Sequence, residues 1–238
     1  MSIQGRLIIH GPGDPFFNMA CDEALGLCTA VPVLRFYQWD PPAVSLGYFQ
    51  KPEEIQPFVQ PIDTVPAVRR ITGGGAIYHY RELTYSIISP PGLLPLPSKT
   101  AESYRFIHAP FISVLKGLGI PARDNTVNSP DRVPVCFDSI TPFDVTVGEK
   151  KILGSAQRRH RTFFLQHGSL PLEPNPFSRR ATSVQEELGR SAAPEELAPL
   201  LEKAVSLHLG IDFRPDSLTD REEEMIHALI RSGNNAVQ

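Results

Sequence analysis

Cys136 and Lys151 are the residues of this sequence whose types, set side by side, can do covalent chemistry. Cys136 precedes Phe137 in a polar stretch bracketed by Pro130, Asp131 and Pro134, a composition that places it on a loop rather than in a core helix. A nucleophilic cysteine reacts as its thiolate; a neighbouring ammonium favours that form and also stabilises charge developing on an acyl oxygen. Lys151 is a candidate for that ammonium. Val145 and Val147 alternate into a Gly148-Glu149 turn, and on the returning strand strict alternation puts Lys151, Leu153 and Ser155 on one face with Ile152 and Gly154 on the other. Residue order alone does not bring Cys136 and Lys151 together, and an ordinary half-buried thiol is the alternative reading of Cys136.

The run Arg69-Arg70-Ile71-Thr72-Gly73-Gly74-Gly75-Ala76-Ile77-Tyr78-His79 is the other unusual segment. Three consecutive glycines lose backbone entropy and add no packing, so they imply either close approach of a ligand or another backbone, or a turn at positive φ. No Gly-Lys-Ser/Thr follows and no second-strand acid is correctly spaced, which sets aside the phosphate-loop and dinucleotide fingerprints. Gly11-Pro12-Gly13 reads as a simple turn. Arg158, Arg159, His160 and Arg161 crowd an expected hairpin turn, either as solvated charge or as a surface for an acidic partner.

These residues need a scaffold. Asp14 followed by Pro15 is a helix start, and Phe17, Ala20, Cys21, Ala24 and Cys28 then share one face, so Cys21 and Cys28 read as core residues. The segments LRFYQW and AVSLGYF, separated by Asp40-Pro41-Pro42, read as a hairpin. Further strands are expected at 67–70, 76–79, 84–88, 143–147, 151–157 and 163–170. A helix over 103–118 is interrupted by Pro110 and stopped by Gly119; two more fall at about 194–209 and 219–231, the last opened by a Thr219/Glu222 capping box. This order has no regular βαβ period. It predicts an α+β fold with a mixed, largely antiparallel β-sheet flanked by helices, formed by residues 1–238 as one domain, with the C-terminal helices from about 194 packing on it.

With 238 residues, 41% hydrophobic, the chain can bury one substantial core. A formal charge of −3 without a basic block gives no reason to expect nucleic acid or an anionic membrane as partner. There is no run of about 18 apolar residues and no signal-peptide pattern. The three cysteines have no CxxC pair or finger-like histidine spacing, which argues against a disulfide framework or structural zinc. A cytosolic monomer is the expectation.

Taken in order, DPFFNMACDEAL, LRFYQWDPPAVSLGYFQ, RRITGGGAIYH followed by ELTYS, ESYRFIH, CFDSITPFDV, KKILGSAQ and QHGSL resemble the lipoate-protein ligase, octanoyltransferase and biotin-protein ligase superfamily, most closely its Cys-dependent octanoyltransferases. The resemblance covers most of the chain. It implies that Cys136 is the acyl-thioester nucleophile and Lys151 the lysine that activates it. It implies that Arg70, Gly73, Gly74, Gly75 and His79 line one side of an acyl tunnel, and Gly154, Ala156, Gln157, His167 and Gly168 the other. The implied reaction needs neither ATP nor metal: octanoyl passes from octanoyl-acyl carrier protein through Cys136 to a lysine of the glycine-cleavage H protein or of a 2-oxoacid dehydrogenase lipoyl domain. Gly75 stands where relatives of this branch often carry arginine, and Tyr80 where many carry aspartate. The first departure is more like the ATP-dependent ligases. Against them stand the short chain after the catalytic region and Glu82-Leu83-Thr84-Tyr85-Ser86 in place of their Asn motif. An ATP-dependent ligase and a non-catalytic acyl-binding relative are the alternatives.

Overall fold

The computed structural model describes residues 3–59, 64–127 and 133–237. The elements, in chain order, are β1 (Ile3–Gly13), α1 (Pro15–Cys28), β2 (Val33–Trp39), β3 (Ala43–Leu46), α2 (Pro52–Ile55), β4 (Ala67–Arg69), β5 (Ile77–His79), β6 (Glu82–Ser89), α3 (Thr100–Gly117), β7 (Arg123–Asp124), β8 (Val145–Val147), β9 (Lys150–Arg159), β10 (Phe164–Pro171), α4 (Val184–Leu188), α5 (Pro194–Leu209), β11 (Ile211–Pro215) and α6 (Asp220–Ser232). Eight strands form one mixed sheet in the order β11-β1-β2-β6-β10-β9-β8-β7, and β4-β3-β5 form a smaller one. In the large sheet β1 pairs parallel with β11 and β2, and the remaining neighbours are antiparallel.

Period-two alternation gives the large sheet two apolar faces. Leu34, Phe36, Tyr85 and Ile87 pack with α3 and α5, while Val33, Ile88 and Leu165 pack with α1 and α6. The helices therefore cover both faces, as their apolar stripes require. Asp14 caps α1, its carboxylate accepting from the amides of Phe16 at 2.9 Å and Phe17 at 3.0 Å, with Pro15 at the first helical position. The Thr219/Glu222 capping box forms on α6, and Glu222 also takes Arg6 of β1 at 2.6 Å, tying the C-terminal helix to the N-terminal strand. Helix α3 runs through Pro110, and Gly119 follows it at φ 93°. Among the described residues no helix is long and apolar enough to cross a membrane.

Two expectations are corrected. β2 and β3 do not form a hairpin: both edges of β2 are occupied by β1 and β6, and the Asp40-Pro41-Pro42 step carries the chain into the smaller sheet, where β3 pairs with β4 and β5. Gly11-Pro12-Gly13 is not a free turn but the end of β1, where the register with β2 shifts between Ile9 and Pro12. Of the loop residues around Cys136, Pro130 and Asp131 lie outside the described residues, and Pro134 leads directly into the Cys136 turn.

Candidate active site

Strand β9 sets the geometry of the reactive pair. Val145 pairs with Leu153 but Thr146 pairs with Lys151, so Ile152 is an extra residue in β9. This bulge sends both Ile152 and Leu153 into the core. It also leaves Lys151 and Gly154 on one side, since a Cβ at position 154 would lie 2.6 Å from Lys151 Cε. Strict alternation, which opposed Lys151 to Gly154, is corrected by that one inserted residue.

The Cys136 turn is held by the end of the glycine run. The Ala76 amide donates to the Pro134 carbonyl and the Cys136 amide to the Ala76 carbonyl, each at 2.8 Å. A Cβ at Gly75 would sit 2.8 Å from Cys136 N and 2.9 Å from the Pro134 carbonyl, so this close backbone approach requires glycine there. Gly74, at φ 94°, meets the other condition. The lysine crosses to the cysteine in that setting: Lys151 Nζ is 3.2 Å from Cys136 Sγ and donates to the Cys136 carbonyl at 2.9 Å. Lys151 is only 1% exposed. Burial works against its charge, but the Asp144 carboxylate at 2.8 Å and Cys136 more than offset burial, so its pKa is raised above the ordinary lysine value. Asp144 is itself fixed, its second oxygen accepting from Thr141 N at 2.7 Å and Thr141 Oγ1 at 3.0 Å.

Cys136 opens onto a cavity of about 360 Å³ between the two sheets. Of the residues singled out in the sequence, Arg70, Gly74, His79, Gly154, Ala156, His167 and Gly168 line it together with Cys136. Gly73, Gly75 and Gln157 do not: Gly75 lies against the Cys136 backbone, and Gln157 turns toward α3 to accept from Ser103 Oγ at 3.0 Å. Met19, Tyr37, Trp39 and Ile77 supply an apolar lining that no motif announced. Gly168 keeps the wall thin, since a Cβ there would meet Tyr85 Cε1 at 2.6 Å.

Two buried polar networks hold the lining histidines. His79 Nδ1 donates to Glu82 at 2.7 Å, its Nε2 accepts the Ser45 hydroxyl at 2.6 Å, and its ring stacks on Trp39 at 3.7 Å. Burial pushes the His79 pKa down despite Glu82, so the ring is neutral. Glu82 also accepts from Thr84 and Ser169, each at 2.7 Å. His167 is held from the other side, Nδ1 to Asp22 at 3.0 Å and Nε2 to the Thr72 hydroxyl at 2.7 Å. Asp22 takes in addition Arg35 at 2.8 Å, Tyr37 and Ser86. Burial opposes ionisation of Asp22, but the hydrogen bond from His167 and the Arg35 guanidinium hold its pKa below the ordinary carboxylate value. Its contribution is therefore present above that value and is lost as pH falls through the depressed one. Asp22→Ala strands a wholly buried Arg35 and is expected to cost about 3–5 kcal/mol, measured by denaturant unfolding, with Arg35→Met in the same chain recovering part of the loss.

Asp144 and Asp22 were not singled out in the sequence, and Glu82 only as the start of the segment that replaces the ligases' Asn motif. The signal available for Asp144 was a lone acid next to an alternating apolar segment, in a motif whose acid carries no spacing rule of its own. Cys21 is fully buried, and burial pushes its pKa up to about 12; half-buried Cys28 is also raised by burial. Among the described residues no cluster of histidine, cysteine and acid groups is arranged to hold a metal ion.

A sequence profile of the lipoyl protein ligase A/B catalytic domain matches residues 14–206, and the chain belongs to that family. It is 32% identical to a protein of an Exiguobacterium species named octanoyltransferase LipM, covering 91% of each chain. It is 34% identical to another of that name from Symbiobacterium thermophilum, covering 94% of this chain and 92% of the relative. In structure it is similar to a Thermoplasma acidophilum protein described as a putative lipoate protein ligase, with TM-score 0.81 at 27% identity over 97% of this chain and 95% of the other. A biotin protein ligase from Aquifex aeolicus, at 14% identity and TM-score 0.50 over 86% of this chain and 70% of its own, shares the fold.

Proposed function

We propose that this protein is an octanoyltransferase that works through a cysteine thioester. In the first half-reaction the Cys136 thiolate attacks the thioester of octanoyl-acyl carrier protein; the C–S bond to the carrier arm breaks, the arm leaves as a thiolate that takes a proton from solvent, and octanoyl remains on Cys136. In the second, the amine of a lipoyl-domain lysine attacks that thioester. The new amide forms, a proton is released, and the Cys136 thiolate returns. The acceptor is a lipoyl-bearing carrier such as the glycine-cleavage H protein or a 2-oxoacid dehydrogenase subunit. Thioester exchange is close to isoenergetic and amide formation is downhill, so the reaction runs without ATP.

The observation that carries this reading is the contact of Lys151 Nζ with Cys136 Sγ at 3.2 Å, at the mouth of an apolar-lined cavity. The ammonium stabilises both the thiolate and the oxyanion of the tetrahedral intermediate. Asp144 positions the ammonium, while Arg70, Gly74, His79, Gly154, Ala156, His167 and Gly168 frame the acyl chain. Two relatives named octanoyltransferase, over nine-tenths of the chain, add to it.

Incubation with octanoyl-acyl carrier protein without ATP, followed by intact mass measurement, is expected to give a hydroxylamine-sensitive octanoyl adduct on the wild type and none on Cys136→Ser. Carrier-domain modification that requires ATP and free octanoate, and that persists in Cys136→Ala, would replace the transferase reading by a ligase.

A further inference from the structure

A second concavity, of about 700 Å³, backs onto the acyl cavity, and Arg70 lines both. Its walls include Arg69, Arg158 and His160, with Tyr48 and Asn234. The two outer guanidiniums are fixed by carbonyls: Arg69 Nη1 donates to the Gln50 carbonyl at 2.6 Å and Arg158 Nη1 to the Ile71 carbonyl at 2.7 Å. Arg158 also lies over the Tyr48 ring, 5.1 Å from its centroid. Among the described residues Arg69, Arg70 and Arg158 have no carboxylate at ion-pair distance, unlike Arg6, Arg35, Arg81, Arg190 and Arg214. The acid in the cleft is Glu23, whose pKa burial pushes up against the opposing pull of the Arg158 charge. Two polar atoms here are buried without a partner, Arg70 Nε and Glu23 Oε2, and Arg70 is 3% exposed.

We propose that this cleft binds a phosphate ester. The guanidiniums of Arg69 and Arg158, an imidazole and an amide around one concavity match the several oxygens of a phosphate, while Arg70, whose Nη1 and Nη2 donate to Ser45, Gly73 and Gly75, adds its charge from behind. The Arg70 side chain lines both concavities, which places the anion site next to the acyl cavity. Assigning the phosphate to the pantetheine arm of a carrier protein rests on the transferase reading; a nucleotide is the other source of the same chemistry. The site also gives a use to part of the basic β9–β10 turn, through Arg158 and His160.

The test is equilibrium titration of the full chain with 4′-phosphopantetheine, pantetheine and ATP. Phosphopantetheine is expected to bind about tenfold or more tighter than pantetheine, a preference that falls toward unity in Arg158→Gln and in Arg69→Gln. Because the preference is a ratio measured within one protein, a folding defect cancels from it. ATP binding tighter than phosphopantetheine, with the same arginine dependence, supports the site and identifies a nucleotide as its occupant. Equal binding of phosphopantetheine and pantetheine with no arginine-dependent binding of ATP, or a preference unchanged in both variants, overturns the proposal. Acylation of Cys136 by octanoyl-pantetheine, which has no phosphate, reads the transferase reaction separately, so the two ideas fail independently.

Discussion

Lys151→Ala is expected to slow acylation of Cys136 by roughly 10²–10³-fold, the scale on which losing a preorganised donor to a developing oxyanion is felt. Stopped-flow or quenched mass measurement of adduct formation reads the effect. The same change leaves Asp144, 3% exposed, without its cation, and breaking a buried pair by removing one member costs about 3–5 kcal/mol. Stability and chemistry therefore fall together in the single variant. Lys151→Met combined with Asp144→Asn separates them: removing both charges restores most of the stability and none of the rate. Recovery of the rate in that double variant would show that the ammonium is structural and would remove Lys151 from the mechanism. The raised pKa gives a second check. A lysine whose folded value exceeds the ordinary 10.5 contributes fully below that value and loses the contribution only as pH rises above it. No decline in stability or acylation from Lys151 deprotonation is expected through the neutral and mildly alkaline range.

The scaffold was legible where local physics decides it. Asp14-Pro15 opens α1, Thr219/Glu222 opens α6, and the alternating segments at 84–88 and 163–170 became β6 and β10 because burial on both faces enforces their register. What was misread depends on long-range partners. AVSL has the pattern of a strand, but which sheet it joins is set by β1 and β6 having already filled the edges of β2. The site divides in the same way. Cys136 and Lys151 announce their chemistry by type, and the glycine run announces a close approach. That Gly75 makes its approach to the Cys136 backbone itself depends on a bridge between segments far apart in the chain. Asp144 and Asp22 were silent because an acid's role is set by the cation the fold brings to it, here Lys151 and Arg35.

Gly154→Ala is expected to lower acylation about 100-fold with a smaller loss of stability than Gly75→Ala, and the contrast between the two shows why. A Cβ at 154 would lie 2.6 Å from Lys151 Cε, 3.1 Å from its Nζ and 3.2 Å from Cys136 Sγ. The nearest atoms belong to the end of the Lys151 side chain, whose ammonium is held at 2.8 Å by Asp144 in a buried pair, so moving it aside also disturbs that pair. Position 154 lies within β9, outside the positive-φ glycines, so alanine adds no backbone strain. What the methyl group does remove is the Nζ–Sγ contact, since Lys151 cannot give way and remain beside the sulfur. At Gly75 the nearest atoms are backbone, Cys136 N at 2.8 Å and the Pro134 carbonyl at 2.9 Å, so alanine there must displace the whole Cys136 turn. Both variants should therefore lose rate, and Gly75→Ala should lose more stability than Gly154→Ala. Thermal unfolding and adduct formation measured on the two variants distinguish these outcomes. Full acylation by Gly154→Ala would mean that the Lys151–Cys136 contact is not what activates the thiol, and the transferase reading would have to find its activating group elsewhere.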